Sequence, residues 1–267
     1  MPTREPVAVE APRFAGLLPA RLTRYRPPRW WQEIGLIALG YWLYGLVRNA
    51  VPQQVTIAER HGRAVQHLQD WLHLNFELSL NNWVASQWLV AQVMDYYYAT
   101  LHFIVTIAVL VWLFVAHKRI YRGVRTVLFA TTIVALVGFY TFPLAPPRLL
   151  PQYGYVDTLV KFHTWGSLAD PNLAERSNQF AAMPSLHIAW ALWSGITIFV
   201  VARTAWLRLL ALCYPFVTLL VIVGTANHFA LDAVGGAFVL AIGFGIQRLL
   251  SGHSAYAEAS DSVVSVS

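Results

Sequence analysis

His228 and Asp232 stand four residues apart in the stretch TANHFALDAVGG. On a helix that spacing puts both side chains on one face. A carboxylate held against one imidazole nitrogen fixes the tautomer and leaves the other nitrogen available as a nucleophile. A His–Asp pair at an interface that merely satisfies itself has the same spacing. His187 follows Pro184 in AAMPSLHIAW. Proline suits the first helical position, where its missing N–H would lack a partner anyway. The amides of Ser185, Leu186 and His187 then have no helical acceptors, and such a helix start seats phosphate. The plainer alternative is a capped helix whose histidine reaches the interface. Arg148, in FPLAPPRLLP, is permanently charged, and its planar fork fits phosphate oxygens; the alternative is an arginine on lipid headgroups. Two histidines, a carboxylate, an arginine and an open helix start at one depth are the parts needed for phosphoryl transfer through a phosphohistidine. A second set, Asp95, Tyr98 and His102 in MDYYYATLHF, falls at i, i+3 and i+7. It is expected to line a headgroup pocket, with a tyrosine belt plus one core histidine as the alternative.

These residues need elements that hold them together in a setting hostile to charge. Of the 267 residues, 57% are hydrophobic and 12% charged, and the mean hydropathy is +0.49. A soluble domain carries about 25% charged residues, so the chain reads as an all-α integral membrane protein. Crossing a bilayer takes roughly 20 apolar residues. Charge-poor runs at 34–47, 96–116, 126–147, 177–202, 209–227 and 233–247 predict a bundle of six transmembrane helices. Residues 48–95 contain Val65, Leu68, Leu72 and Leu74 among polar neighbours, which predicts an amphipathic helix along the outer interface.

Basic residues orient the bundle. Thirteen lysines and arginines fall on the side of both termini and six on the other. The termini are therefore expected in the cytoplasm and Arg148, His187, His228 and Asp232 on the extracytoplasmic face, with the plasma membrane as the expected location. Residues 1–29 read as a basic cytoplasmic arm, 30–250 as the membrane domain and 251–267 as a disordered cytoplasmic tail. No basic soluble face for nucleic acid is visible. Cys213 is the only cysteine. It excludes an internal disulfide and a multi-cysteine metal site, and it is expected to pack in the core. Neither a metal nor a cofactor is expected.

PSLH at 184–187 and HFALD at 228–232 resemble the second and third signatures of the type-2 phosphatidic acid phosphatase superfamily, usually Pro-Ser-Gly-His and a His-x-x-x-Asp core. Leu186 in the glycine position and APPR at 145–148 resemble its inositol phosphorylceramide synthase branch. The likeness spans about residues 30–250. It has fewer cations than the usual pattern: no lysine lies in the third span, and Ile222 stands where the third signature has arginine. The resemblance implies a phosphorylated lipid or prenyl (di)phosphate substrate within membrane lipids. It implies His228 as nucleophile, Asp232 as its partner, His187 as acid, and Arg148 with the amides of Ser185 and Leu186 as phosphate donors. The bulk of Leu186 leans the expectation towards transfer to an alcohol rather than water. Two other outcomes fit the same sequence. One is a terpene cyclase that ionises a prenyl diphosphate between aromatic walls, and the other is a non-catalytic lipid carrier.

Overall fold

The computed structural model describes residues 16–17, 28–50, 55–74, 76–164 and 179–257. Helix α1 is Trp30–Ala50, α2 is Val55–Trp71 and α3 is Phe76–Ser86. Helix α4, Trp88–Tyr96, passes through one wide π turn, Tyr97–Leu101, into α5, His102–Ala116. Together they make a 29-residue rod. Then come α6, Lys118–Thr141; two 3-10 turns, Pro147–Leu149 and Pro151–Tyr153; and the short α7, Thr158–Lys161. The last three helices are α8, Leu186–Val201, α9, Ala205–Gly224, and α10, Ala230–Ser251. Among the described residues there is no strand, only an isolated parallel bridge between Leu144 and Ala181.

Among the described residues, four helices are long and apolar enough to cross a bilayer: the rod Trp88–Ala116, α6, α9 and α10. Helix α8 is apolar but has only 16 residues, and α1 has 21 with Gln32 and Glu33 in its first turn. Length and composition therefore qualify four of the six expected spans. The helices also ignore the charges at which the expected spans stop. Lys118, Arg119, Arg122 and Arg125 lie within the first turns of α6, and only His117 separates it from α5. Long basic side chains at a helix end reach for the interface, so the helix continues through them. Arg125 and Tyr121 pair with Glu33, which fastens α1 to α6.

Helix α6 stops before Pro143, which disfavours helical backbone at the residue before it. Helix α10 ends at Gly252, whose φ of 77° is a left-handed cap that glycine adopts without strain. Helices α6 and α10 run antiparallel and close together, with Gly243 against Thr131. The core below the site contains Leu113, Tyr121, Val124, Trp193 and Leu240, and the Trp193 indole donates to the Val124 carbonyl at 3.0 Å. Ile104, Val111, Val115, Leu209, Phe216 and Phe238 stay exposed. Exposed apolar surface on this scale fits contact with lipid, and the long apolar helices mark an integral membrane protein. Cys213 is exposed with them, not packed in the core, because it lies on the outward face of α9.

The expected single interfacial helix is two helices. Helix α2 ends where His73 takes a φ of 58°. Its buried face is Ala58, Gly62, Val65, Gln66 and Gln69, while Leu68 and Leu72 point outwards. The helix thus turns its glutamines onto the protein, not an apolar stripe onto lipid. At the other end of the bundle, order continues past the expected boundary at 251. Ala255 is buried against the Tyr121 cluster, and the hydroxyls of Tyr256 and Thr197 lie 3.1 Å apart. The rest of the expected tail, and of the basic arm apart from residues 16–17 and 28–29, lies outside the described residues.

Candidate active site

Two helix starts meet at one end of the bundle. Ser185 is the N-cap of α8, its hydroxyl accepting from the Ile188 amide at 3.4 Å. Pro184 therefore precedes the cap and does not occupy the first helical turn. The Ser185 amide is also engaged: it donates to the Asp232 carbonyl at 3.0 Å. The first regular bond of the helix runs from the Ala189 amide to the Ser185 carbonyl, so Leu186 and His187 supply the first-turn amides. Small residues permit the approach. A Cβ on Gly236 of α10 would come within 2.4 Å of the Ser185 carbonyl oxygen, and one on Gly138 of α6 within 2.6 Å of the Pro184 ring.

His228 lies before α10, in a turn where Ala226 has a φ of 54°. Its Nδ1 is 2.9 Å from the Ala182 carbonyl oxygen and 3.2 Å from Asp232 Oδ2. The His–Asp spacing thus works across a helix N-terminus instead of along one face. Asp232 reaches back to cap the helix and also accepts from the Phe229 amide at 2.9 Å. Both neighbours of Nδ1 are acceptors, so Nδ1 carries the proton and Nε2 the lone pair. That Nε2 faces His187 Nδ1 at 3.3 Å. His228 and Asp232 are buried, and His187 is half-buried.

Arg148 is buried beside the same turn, its amide donating to the Ala226 carbonyl at 3.0 Å. Its guanidinium is held by Asp157 at 2.9 Å and lies 3.5 Å from Gln179 Oε1. Asp157 also caps α7 by accepting from the Val160 amide. Tyr98 and His102 join the site: their ring centroids lie 4.3 and 4.2 Å from that of His187. Asp95 does not. Its carboxylate accepts from the hydroxyls of Thr158 at 2.7 Å and Thr164 at 3.0 Å, tying the rod to α7 and the residues just after it. The π turn between Asp95 and His102 breaks the 3.6-residue register on which a shared face depends. Leu186 also differs from expectation. Its side chain packs with Ala135, Leu136, Phe139 and Val239, so its bulk fills the α6–α10 interface.

Some site residues carry no motif. The Ala230 amide donates to Glu77 of α3 at 2.7 Å, and the Leu231 amide to Gln69 of α2 at 3.2 Å. Asn81 fixes α3 in place, bonding the Val156 backbone through both its amide groups and the Gly224 carbonyl. Their one sequence signal is polarity inside a stretch that reads as amphipathic. The glycine pair in DAVGG signals the close approach to Ser185. Among the described residues no group of three or more His, Cys, Asp or Glu is placed to hold a metal ion.

The arrangement offers a buried imidazole lone pair, a second imidazole facing it, and a buried arginine whose backbone amide bonds the same turn. A family model described as the PAP2 superfamily matches residues 63–246, which contain all of these side chains. Neither the curated proteins nor the solved structures give a significant match. The match covers more than half of the chain, from α2 through most of α10, and the chain belongs to the PAP2 superfamily.

Proposed function

We propose that the protein is a membrane enzyme that takes a phosphoryl or phospho-headgroup from a phosphorylated or diphosphorylated lipid onto His228 and passes it to an alcohol or water. Membership of the PAP2 superfamily supports the broader part of this reading, a phosphatase or phosphotransferase acting on phosphorylated lipids. The observation that carries the mechanism is the pair of acceptors at His228 Nδ1, which leaves the lone pair on Nε2. That nitrogen attacks phosphorus; the N–P bond forms as the bond to the leaving oxygen breaks. His187 gives that oxygen a proton. Asp232 balances the positive charge gained by the phosphorylated ring. Arg148 and the first-turn amides of α8 take the phosphoryl oxygens. The acceptor alcohol or water then gives its proton to His187 and attacks phosphorus, breaking the N–P bond and freeing His228.

Two features of the fold support an extracytoplasmic site. The site lies where α6 ends and where α8 and α10 begin. The opposite end carries Lys118, Arg119, Arg122, Arg125, Arg203, Arg208 and Arg248, as expected of a cytoplasmic surface. Transfer to a lipid alcohol, as in the inositol phosphorylceramide synthase branch, rests on the APPR and PSLH segments alone, since Leu186 points into the helix interface.

The test is a trapping experiment. Purified protein mixed with ³²P-labelled phosphatidic acid or prenyl diphosphate in micelles should form an acid-labile, base-stable phosphoprotein. His228→Gln should lose both the label and turnover, by roughly 10³-fold or more. Equal turnover by this variant and the wild type would sink the mechanism.

A further inference from the structure

Glu77 is the one acid that α3 sends into the protein interior, and it is 1% exposed. Its Oε1 accepts from the Ala230 amide at 2.7 Å, two residues after His228. Its Oε2 is buried, with the Gln69 side chain beside it. Asp232 takes the Phe229 amide and Gln69 the Leu231 amide, so three successive amides at the start of α10 each meet a side-chain oxygen. Capping the helix needs only acceptors, and an amide oxygen serves at the third position. A buried carboxylate is a costly choice for the second unless its charge has a use.

We infer that Glu77 is a positioning residue for His228: with Asp232 it holds the start of α10 and supplies a second negative charge to stabilise the imidazolium formed when His228 bonds to phosphorus. The inference rests on the proposed role of His228. Positive charge developing on that ring is the change a fixed neighbouring anion favours. Glu77 and His228 are both buried at this helix start, where screening by water is weak. The ionisable groups facing Glu77 are Asp70 of α2, Asp232 of α10 and Tyr155 of the outer loop. Burial pushes the Glu77 carboxyl up to about 7, with the negative charges of Asp232 and Asp70 adding to the rise. The anion is therefore present on the alkaline side of neutrality and absent on the acid side.

Glu77→Gln keeps an oxygen for the Ala230 amide and removes the charge. Phosphate release from phosphatidic acid by the full-length protein in micelles is compared with that of the variant across pH. The ratio of wild-type to variant kcat should be near one at about pH 6 and rise through neutrality to roughly tenfold at about pH 8, with KM unchanged. A purely structural cap gives a ratio that does not rise with pH, and that result overturns the inference. A second readout needs no lipid. Diethyl pyrocarbonate acylates imidazole nitrogen, and the modification rate of His228, followed by peptide mass spectrometry, should show the same pH-dependent ratio. If that ratio holds while His228→Gln still turns over lipid, the proposed function fails and the charge coupling stands. If it is flat while His228→Gln is inactive, the coupling fails and the function stands. Glu77→Asp keeps the charge and should retain the wild-type pH dependence, which covers the case in which the glutamine variant does not fold.

Discussion

The two ring nitrogens of His228 are committed to different neighbours. Nδ1 is held by the Ala182 carbonyl and Asp232, and Nε2 faces His187. Asp232→Asn leaves a side chain of the same shape but no anion. It should lower turnover by roughly 10²–10⁴-fold while the protein stays folded, as read from steady-state kinetics beside a thermal melt. His187→Gln should be milder on diphosphates than on monophosphates, because attack on a diphosphate expels a phosphate, which needs a proton less than the alkoxide expelled from a monophosphate; the ratio of the two rates checks this. Glu77 gives a stability prediction of definite sign. Folded, its carboxyl keeps its proton to about pH 7, whereas the unperturbed group releases it near 4.5. The folded state binds more protons across that window, so stability is lost as pH rises through it. Glu77→Gln has no proton to lose. Its thermal midpoint in detergent should fall less between about pH 5 and about pH 8 than that of the wild type.

Among the elements, the contact that matters most is that between the starts of α8 and α10. Gly236 has no room for a side chain, with the Ser185 carbonyl oxygen 2.4 Å from where its Cβ would be. Gly236→Ala should push the two helix starts apart, costing about 1–3 kcal/mol of stability by overpacking. It should also slow turnover by opening the His187–His228 contact; a melt and a rate assay read the two effects. Asn81 ties α3 to the Val156 backbone and to the end of α9 through three hydrogen bonds. Leaving those buried partners unmet, Asn81→Ala should cost about 2–3 kcal/mol. The loss should be seen as easier proteolysis of the outer segment.

Across the whole molecule, legibility followed the environment of each residue. The long apolar helices could be read because hydrocarbon demands runs of apolar side chains. His228, Asp232, His187 and Arg148 could be singled out because polar groups in such runs stand out; the first three meet at two helix starts, and Arg148 bonds the turn before α10 through its amide. Glu77 and Gln69 could not, because a polar residue in an amphipathic stretch looks the same whether it faces water or a buried helix end. The direction of Leu186 and the fate of Asp95 depended on helix registers that spacing alone does not fix. The orientation of the bundle can be tested directly. In a Cys213→Ala background, Gln152→Cys should react with an impermeant maleimide on intact cells, and Ser254→Cys only after the cells are opened. Finally, the π turn at Tyr97–Leu101 behaves as a one-residue insertion in an otherwise continuous rod. Above it Asp95 serves the outer loop, and below it His102 serves the site. Rewinding it as α-helix with the same residues would rotate one half against the other by about 100°, whereas deleting Ala99 along with the wide turn would keep the two halves in phase. The winding of this one turn thus sets the wall beside His187 independently of any residue proposed to touch phosphorus.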